Sequence, residues 1–279
     1  MQLIKLNLAR NCLKYLIRAY GINEIFIPYY TCQTVWIAAK EEGCHVSFYH
    51  IDKNFYPIED FPLNAFILYT NYFGLCNKIC NELAAKYPNL IIDNAQAFYN
   101  PPQGIGSIYS LRKFFNVTSG AYLYTNKILP NIFEQDTKKL PQADFHNNYN
   151  QFVQNELILN KEKEIKTISK YSENLLSKMN FDKDKKTRLY IFKEYEKIFK
   201  KDNNIKLSLP ENEIPYCYPF APTKDFYKEE ILKNHIILLR LWQNFPEDFP
   251  ESNFNNTVAL PLTDIQYCEK IIKIFTKKR

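Results

Sequence analysis

What most constrains this chain is a succession of short, largely apolar runs separated by segments with helical periodicity. Glu24-Ile-Phe-Ile-Pro28, His45-Val-Ser-Phe-Tyr49, Ala65-Phe-Ile-Leu-Tyr69, Leu90-Ile-Ile-Asp93, Ser107-Ile-Tyr109 and Ala121-Tyr-Leu-Tyr124 are too short for helices and read as strands. Between them, residues 8–20, 31–42 and 76–87 read as helices, with Asn7 as the cap of the first and Gly21 and Gly43 as stops. Strands that are apolar on both faces need cover on both faces. The alternation therefore predicts an α/β protein whose central sheet is mostly parallel, with helices on either side. Ligands of such sheets sit at the C-terminal strand ends. Pro28, Tyr69-Thr70, Asp93 and Ser110 fall there.

Beyond about residue 135 the character changes. A polar loop at 146–151 leads into charged helices over 154–179 and 185–200. Pro215-Tyr-Cys-Tyr-Pro219, an apolar helix end at 236–242, a strand at Val258-Ala-Leu-Pro261 and an amphipathic helix through Phe275 follow. The expected division is a large α/β domain, 1–135, and a smaller C-terminal α+β domain, 136–279; 279 residues suffice for both. The formal charge of +6 comes without a long basic block, and Lys183-Asp-Lys-Lys-Thr-Arg188 reads as a solvated helix end of mixed sign, so no nucleic-acid role is expected. No apolar run approaches the ~20 residues of a membrane span. Met1-Gln-Leu-Ile-Lys5 lacks the pattern of a signal peptide, which makes the cytoplasm the expected location. Seven cysteines without a CxxC pair are expected to be reduced, buried thiols with no metal site. Of the six glycines, 74, 104, 106 and 120 gather in loops around the strand ends.

The chemistry concentrates in two segments. Asp93-Asn-Ala-Gln96 puts a carboxylate at one strand end, and Ser110-Leu-Arg-Lys113 follows another with a hydroxyl and an amine. A lysine beside one strand end and a carboxylate at its neighbour suit pyridoxal 5'-phosphate (PLP). The amine forms a Schiff base, and the carboxylate keeps the pyridine nitrogen protonated so that the ring accepts electrons. The plainer alternatives are a turn-capping aspartate, a surface lysine and an ordinary turn serine.

These segments, in order, resemble the DegT/DnrJ/EryC1/StrS family of PLP-dependent sugar aminotransferases. Ile27-Pro-Tyr-Tyr-Thr31, Asn71-Tyr-Phe-Gly74, Ile92-Asp-Asn-Ala-Gln-Ala97, Gly106 through Gly120 and Ala259-Leu-Pro-Leu262 are each similar to the family's segments, and Asp-x-Ala-Gln followed by Ser-x-x-Lys is the most specific of them. The resemblance implies the PLP-dependent transferase fold type I. It makes Lys113 the Schiff-base lysine and proton carrier, Asp93 the partner of the pyridine N–H, Gln96 a hydrogen-bond partner of the ring hydroxyl oxygen, and Ser110 a phosphate contact.

Departures from the family pattern mark other positions. Where the family cradles phosphate with Ser-Gly-Thr at a helix N-terminus, this chain has Ala9-Arg10-Asn11, so backbone N–H groups and the Arg10 charge take that role. Where the family often stacks an aromatic ring on the cofactor, Cys32 stands, with Tyr30 and Trp36 nearby. Asn148 lies about where the family sends an asparagine into the neighbouring subunit's site, although Asn150 replaces the usual arginine. The implied activity moves an amino group from an amino acid, glutamate by family habit, to a keto sugar linked to a nucleotide, in glycan biosynthesis. The implied assembly is a homodimer whose partners are small-molecule substrates. A PLP enzyme with a different small substrate, and a binding protein without turnover, stand as alternatives.

Overall fold

The computed structural model describes residues 1–143, 145, 148–224, 229, 233–234, 236–243, 246, 254 and 256–276. Its first sheet contains β1 (Gln2–Leu6), β2 (Glu24–Pro28), β3 (His45–Tyr49), β4 (Ile67–Thr70), β5 (Leu90–Asp93), β6 (Gly106–Ser110) and β7 (Ala121–Thr125). Their order is β1-β7-β6-β5-β4-β2-β3. β2 through β6 pair in parallel, while β7 runs antiparallel to both β6 and β1. The mostly parallel sheet expected from the apolar runs is therefore present. β1 is an addition to that expectation. Only Leu6 in it is fully buried, so its pattern is too one-sided and too short to announce a strand.

The side chains of each strand divide between two cores with the period of two that a pleated strand imposes. Ile25, Ile27, Leu68, Ile91, Ile108 and Leu123 pack under α1 (Ala9–Tyr20) and α2 (Gln33–Glu41). Ile67, Tyr69, Leu90 and Ile92 face the other way, onto α3 (Asn77–Lys86) and residues from the C-terminal half. α1 lies so close to the sheet that a Cβ at Gly106 would stand 2.6 Å from Leu16 Cδ1. Gly106 is thus a packing glycine inside β6, not the loop glycine its sequence neighbourhood suggests. Gly120 has a φ of +121° where a Cβ would meet Leu111 and Ile168, so it keeps the turn behind the lysine segment compact.

The C-terminal half contains α5 (Tyr149–Asn160), α6 (Lys170–Leu176), α7 (Phe181–Phe199) and α8 (Ile265–Thr276), after the short α4 (Leu111–Phe114) of the first half. Its sheet has the order β8-β10-β9, formed by β8 (Cys217–Phe220), β9 (Leu239–Arg240) and β10 (Val258–Pro261), all antiparallel. Phe192, Tyr195 and Phe199 of α7, Phe275 of α8 and Phe220 of β8 join the same core as Tyr69 and Ile92. No helix among the described residues is long and apolar enough to cross a membrane.

Four local expectations are corrected. The helix expected over 154–179 is broken, because 163–168 returns to β1. Asn7 N–H donates to the Lys166 carbonyl at 2.9 Å, and the Asn11 side chain donates to the Glu164 carbonyl at 2.6 Å. Buried Lys14 donates to the Lys163 carbonyl at 2.8 Å. Asn7, Asn11 and Lys14 form one stripe on the start of α1 and satisfy carbonyls that a continuous helix would have used itself. For the same reason Asn7 does not cap α1. The residue at the N-cap is Leu8, which makes no side-chain cap bond.

The helix end expected at 236–242 is instead β9. Leu239 and Arg240 pair with Ala259 and Val258, since a run such as Ile-Ile-Leu-Leu suits either period and the open edge of β10 decides. Finally, Lys183-Asp-Lys-Lys-Thr-Arg188 is not simply a solvated end. Arg188 is 0% exposed and holds three parts of the chain together.

Candidate active site

The parallel register brings Thr70 opposite Asp93 and Asp93 opposite Ile108, so β4, β5 and β6 end side by side. Asn71 fixes this edge: its backbone N–H donates to the Asp93 carbonyl at 3.0 Å, and its side-chain amide donates to Asn94 Oδ1 at 2.9 Å. Thr31 Oγ1 and Thr70 Oγ1 lie 2.7 Å apart and tie the end of β4 to the turn after β2. A cavity of about 800 Å³ opens above these ends. The small sheet and the N-terminal half of α7 form its far wall, through Tyr216, Cys217, Ala259, Asp184 and Arg188.

Asp93 and Lys113 both line this cavity. The Asp93 carboxyl is 7% exposed and accepts from the Ala95 N–H at 2.9 Å. Burial raises its pKa, against the opposing pull of the Lys113 charge and the Ala95 N–H. Lys113 also acts on Cys217 of β8, whose thiol burial pushes up. The amine therefore stands between the large sheet and the small one. Ser110, at the N-cap of α4, makes no side-chain cap bond and faces the cavity, which leaves its hydroxyl for another partner.

Arg10 and Cys32 line the cavity as well, Cys32 as the N-cap residue of α2 with its Sγ 3.1 Å from Thr34 Oγ1. Of the seven cysteines, Cys32 is half-buried and the others are buried. Tyr30 and Trp36 do not reach the cavity. Tyr30 belongs to an aromatic cluster with Tyr72, Trp242 and Phe254, and Trp36 packs edge-on against Phe48.

The remaining expected residues are placed differently. Gln96 is buried outside the cavity lining; its Oε1 accepts from the Phe73 N–H at 2.9 Å, and its Nε2 has no hydrogen-bond partner among the described residues. Asn11 is 0% exposed and spends its amide on Asn7 and Glu164, while its backbone N–H bonds the Leu8 carbonyl. Neither donor of Asn11 is open to a ligand here, and its buried Oδ1 makes no hydrogen bond among the described residues. Asn148 caps α5 by accepting from the Gln151 N–H at 3.4 Å and lies outside the cavity lining.

Arg112 and Arg188 also belong to the site, and the sequence alone does not assign them to it. Arg112 lines the cavity and forms an ion pair with Glu156 of α5. Burial, then the nearby Arg10 charge, push it down to about 10. Its signal was its place in Ser-Leu-Arg-Lys, next to the lysine. Arg188 donates to Asp184 Oδ2 at 2.8 Å, to the Tyr216 carbonyl at 3.0 Å and to the Phe114 carbonyl at 2.9 Å. Phe114 follows Lys113 directly, so this arginine fixes the end of the lysine's helical turn. Nothing in the local sequence marks it, because its partners lie 74 and 28 residues away.

No protein-family model matches the sequence, and no curated protein is similar to it. Solved structures are. A DegT DnrJ EryC1 StrS aminotransferase from Brucella abortus superimposes with a TM-score of 0.66 at 15% identity, covering 100% of this chain and 87% of that one. DesV of S. venezuelae, solved in complex with a ketimine intermediate, gives 0.66 at 14% identity over 99% of this chain and 85% of that one. The sugar aminotransferase CalS13 of Micromonospora echinospora gives 0.64 at 11% identity, over 99% and 87%. At such identities the likeness establishes the fold. The chain has the α/β architecture of PLP-dependent transferase fold type I, over its whole length.

Proposed function

We propose that this chain is a PLP-dependent aminotransferase that moves an amino group from an amino acid to a keto sugar. The observation that carries the reading is the convergence of Lys113 and Asp93 in one cavity at the ends of β5 and β6. The donor set lining the cavity fits the cofactor: an amine for its aldehyde, a buried carboxylate for its pyridine nitrogen, and arginines with the Ser110 hydroxyl for its phosphate. When bound, PLP supplies an electron sink for the carbon that carries the migrating amine.

The chain's own residues supply the rest. Burial disfavours charge on Asp93, and a cationic ring nitrogen held beside it would favour the carboxylate, which in turn would keep the proton on that nitrogen. Lys113 would hold the aldehyde of the cofactor, and its amine is the group of this chain placed to hold or move a proton at the reacting carbon. Residues of α7 and of the small sheet bound the site on the side of the C-terminal half. About 800 Å³ lies in the upper range for small-molecule sites and accommodates a cofactor with a sugar-sized substrate. Glutamate as donor, a nucleotide-linked acceptor and a role in glycan biosynthesis belong to this reading through the resemblance of the motifs.

The same reading makes the protein a homodimer. Tyr149, Leu157 and Ile158 leave apolar surface exposed on α5, the helix whose Phe152 and Glu156 line the cavity. Asn148 at the start of α5 is the residue we place nearest the partner's site.

Reduction with borohydride in the presence of PLP tests the central claim. A pyridoxyl group should be recovered on Lys113 by peptide mass spectrometry, and Asp93→Asn should keep this labelling while losing most amino transfer from glutamate. A label on another lysine, or full turnover in Asp93→Asn, would overturn the assignment.

A further inference from the structure

Arg10 of α1 and Arg112 of α4 both line the cavity and both contact α5, and the Arg10 charge acts on Arg112. Two guanidinium groups sharing a largely buried wall repel one another and call for an anion. α5 answers in part. Glu156 forms an ion pair with Arg112, and Asn160, one helical turn later on the same face, accepts from Arg10 Nη2 at 2.8 Å. Only one of these two partners carries charge. Arg10 and Arg112 against Glu156 leave one positive charge uncompensated by direct contact.

We propose that Arg10 and Arg112 form a binding site for a phosphate monoester, and that Glu156 is a stand-in anion which the phosphate displaces from Arg112. Charge balance favours displacement over joint occupancy. A dianion facing two guanidinium groups sums to zero, whereas a dianion with Glu156 still in place leaves an excess negative charge beside it. The planar forks of the two arginines suit bidentate contact with phosphate oxygens. The side chains of α5 then act as a gate. The helix rests on the arginines when the anion is absent, and its Glu156 turns away when the anion binds. The identity of the monoester as the cofactor's phosphate rests on the function proposed above; the arginine site itself does not.

Calorimetric titration of the full chain with inorganic phosphate, at low ionic strength and before any PLP is added, tests the site. Glu156→Gln removes the competing charge and should tighten phosphate binding by about five- to tenfold. Arg112→Gln should weaken binding at least tenfold and abolish the effect of Glu156→Gln when the two are combined. Arg10→Gln should weaken it also, which keeps the test decisive if Arg112→Gln fails to fold. In a second arm, Arg112→Gln should lose affinity for PLP and keep its affinity for pyridoxal, which has no phosphate. Failure of every variant to bind PLP, with the phosphate pattern intact, would sink the cofactor reading and leave the arginine site standing. Phosphate affinity indifferent to Glu156→Gln, or an equal loss of PLP and pyridoxal in Arg112→Gln, would overturn the proposal.

Discussion

Replacing Arg188 by methionine keeps the buried stem and deletes the charged fork. In the folded chain that fork makes three hydrogen bonds and lies 4.5 Å from the centre of the Phe114 ring. Its loss leaves the Phe114 and Tyr216 carbonyls without this donor, each costing about 1–3 kcal/mol where water cannot reach. It also leaves Asp184 with only the Tyr99 hydroxyl, at 2.7 Å, of these two partners. Breaking a buried pair from one side typically costs about 3–5 kcal/mol, because the partner's charge stays behind. Those terms overlap, and we expect a loss of about 4 kcal/mol, a large part of the roughly 5–15 kcal/mol that keeps a domain folded. The midpoint of thermal unfolding should fall by roughly 8–16 °C.

Urea unfolding followed by circular dichroism measures the loss directly, with the slope expected to stay constant. A double variant, Arg188→Met with Asp184→Leu, sharpens the test. Removing both charges should cost less than the two single changes added together, since no carboxylate is left unpaired. A loss below about 1 kcal/mol in Arg188→Met, or strict additivity in the double variant, would refute the reasoning that this ion pair anchors the lysine turn.

Two further outcomes follow from the structure. Burial holds the Glu213 carboxyl up to about 7, above its ordinary 4.5, against the opposing pull of the Asn77 N–H. The folded chain therefore keeps a proton that the unfolded chain loses, so this contribution is full below pH 4.5 and disappears as pH rises through 7. Glu213→Gln should flatten the decline of the unfolding midpoint across that window, and an unchanged slope would show that Glu213 does not set it. For assembly, light scattering should give a dimer, and Leu157→Lys on the exposed face of α5 should weaken it; a wild-type monomer with full PLP binding and transfer activity would refute the dimer.

Much of the fold was legible because the information is local. Short runs such as Leu90-Ile-Ile-Asp93 are apolar on both faces, and that alone demands a covered, mostly parallel sheet. The pairing of Asp93 with Lys113 was legible for a related reason. In parallel strands the C-terminal ends are neighbours, so residues just past two such ends meet without any knowledge of packing.

What the sequence by itself could not decide depends on contacts between distant segments. Isoleucine and leucine at 236–239 satisfy a helix or a strand equally, and the edge of β10 chose the strand. Residues 154–179 have the pattern of one helix, yet donors on α1 draw 163–168 back to β1 and break it. Asn11 looked open at a helix start and is consumed by that same return. Arg112 and Arg188 were two basic residues among the 36 lysines and arginines of the chain. Only the fold placed one against Arg10 and Glu156 and sealed the other beneath the lysine turn, because the cost of burying a charge is met by partners that sequence distance conceals.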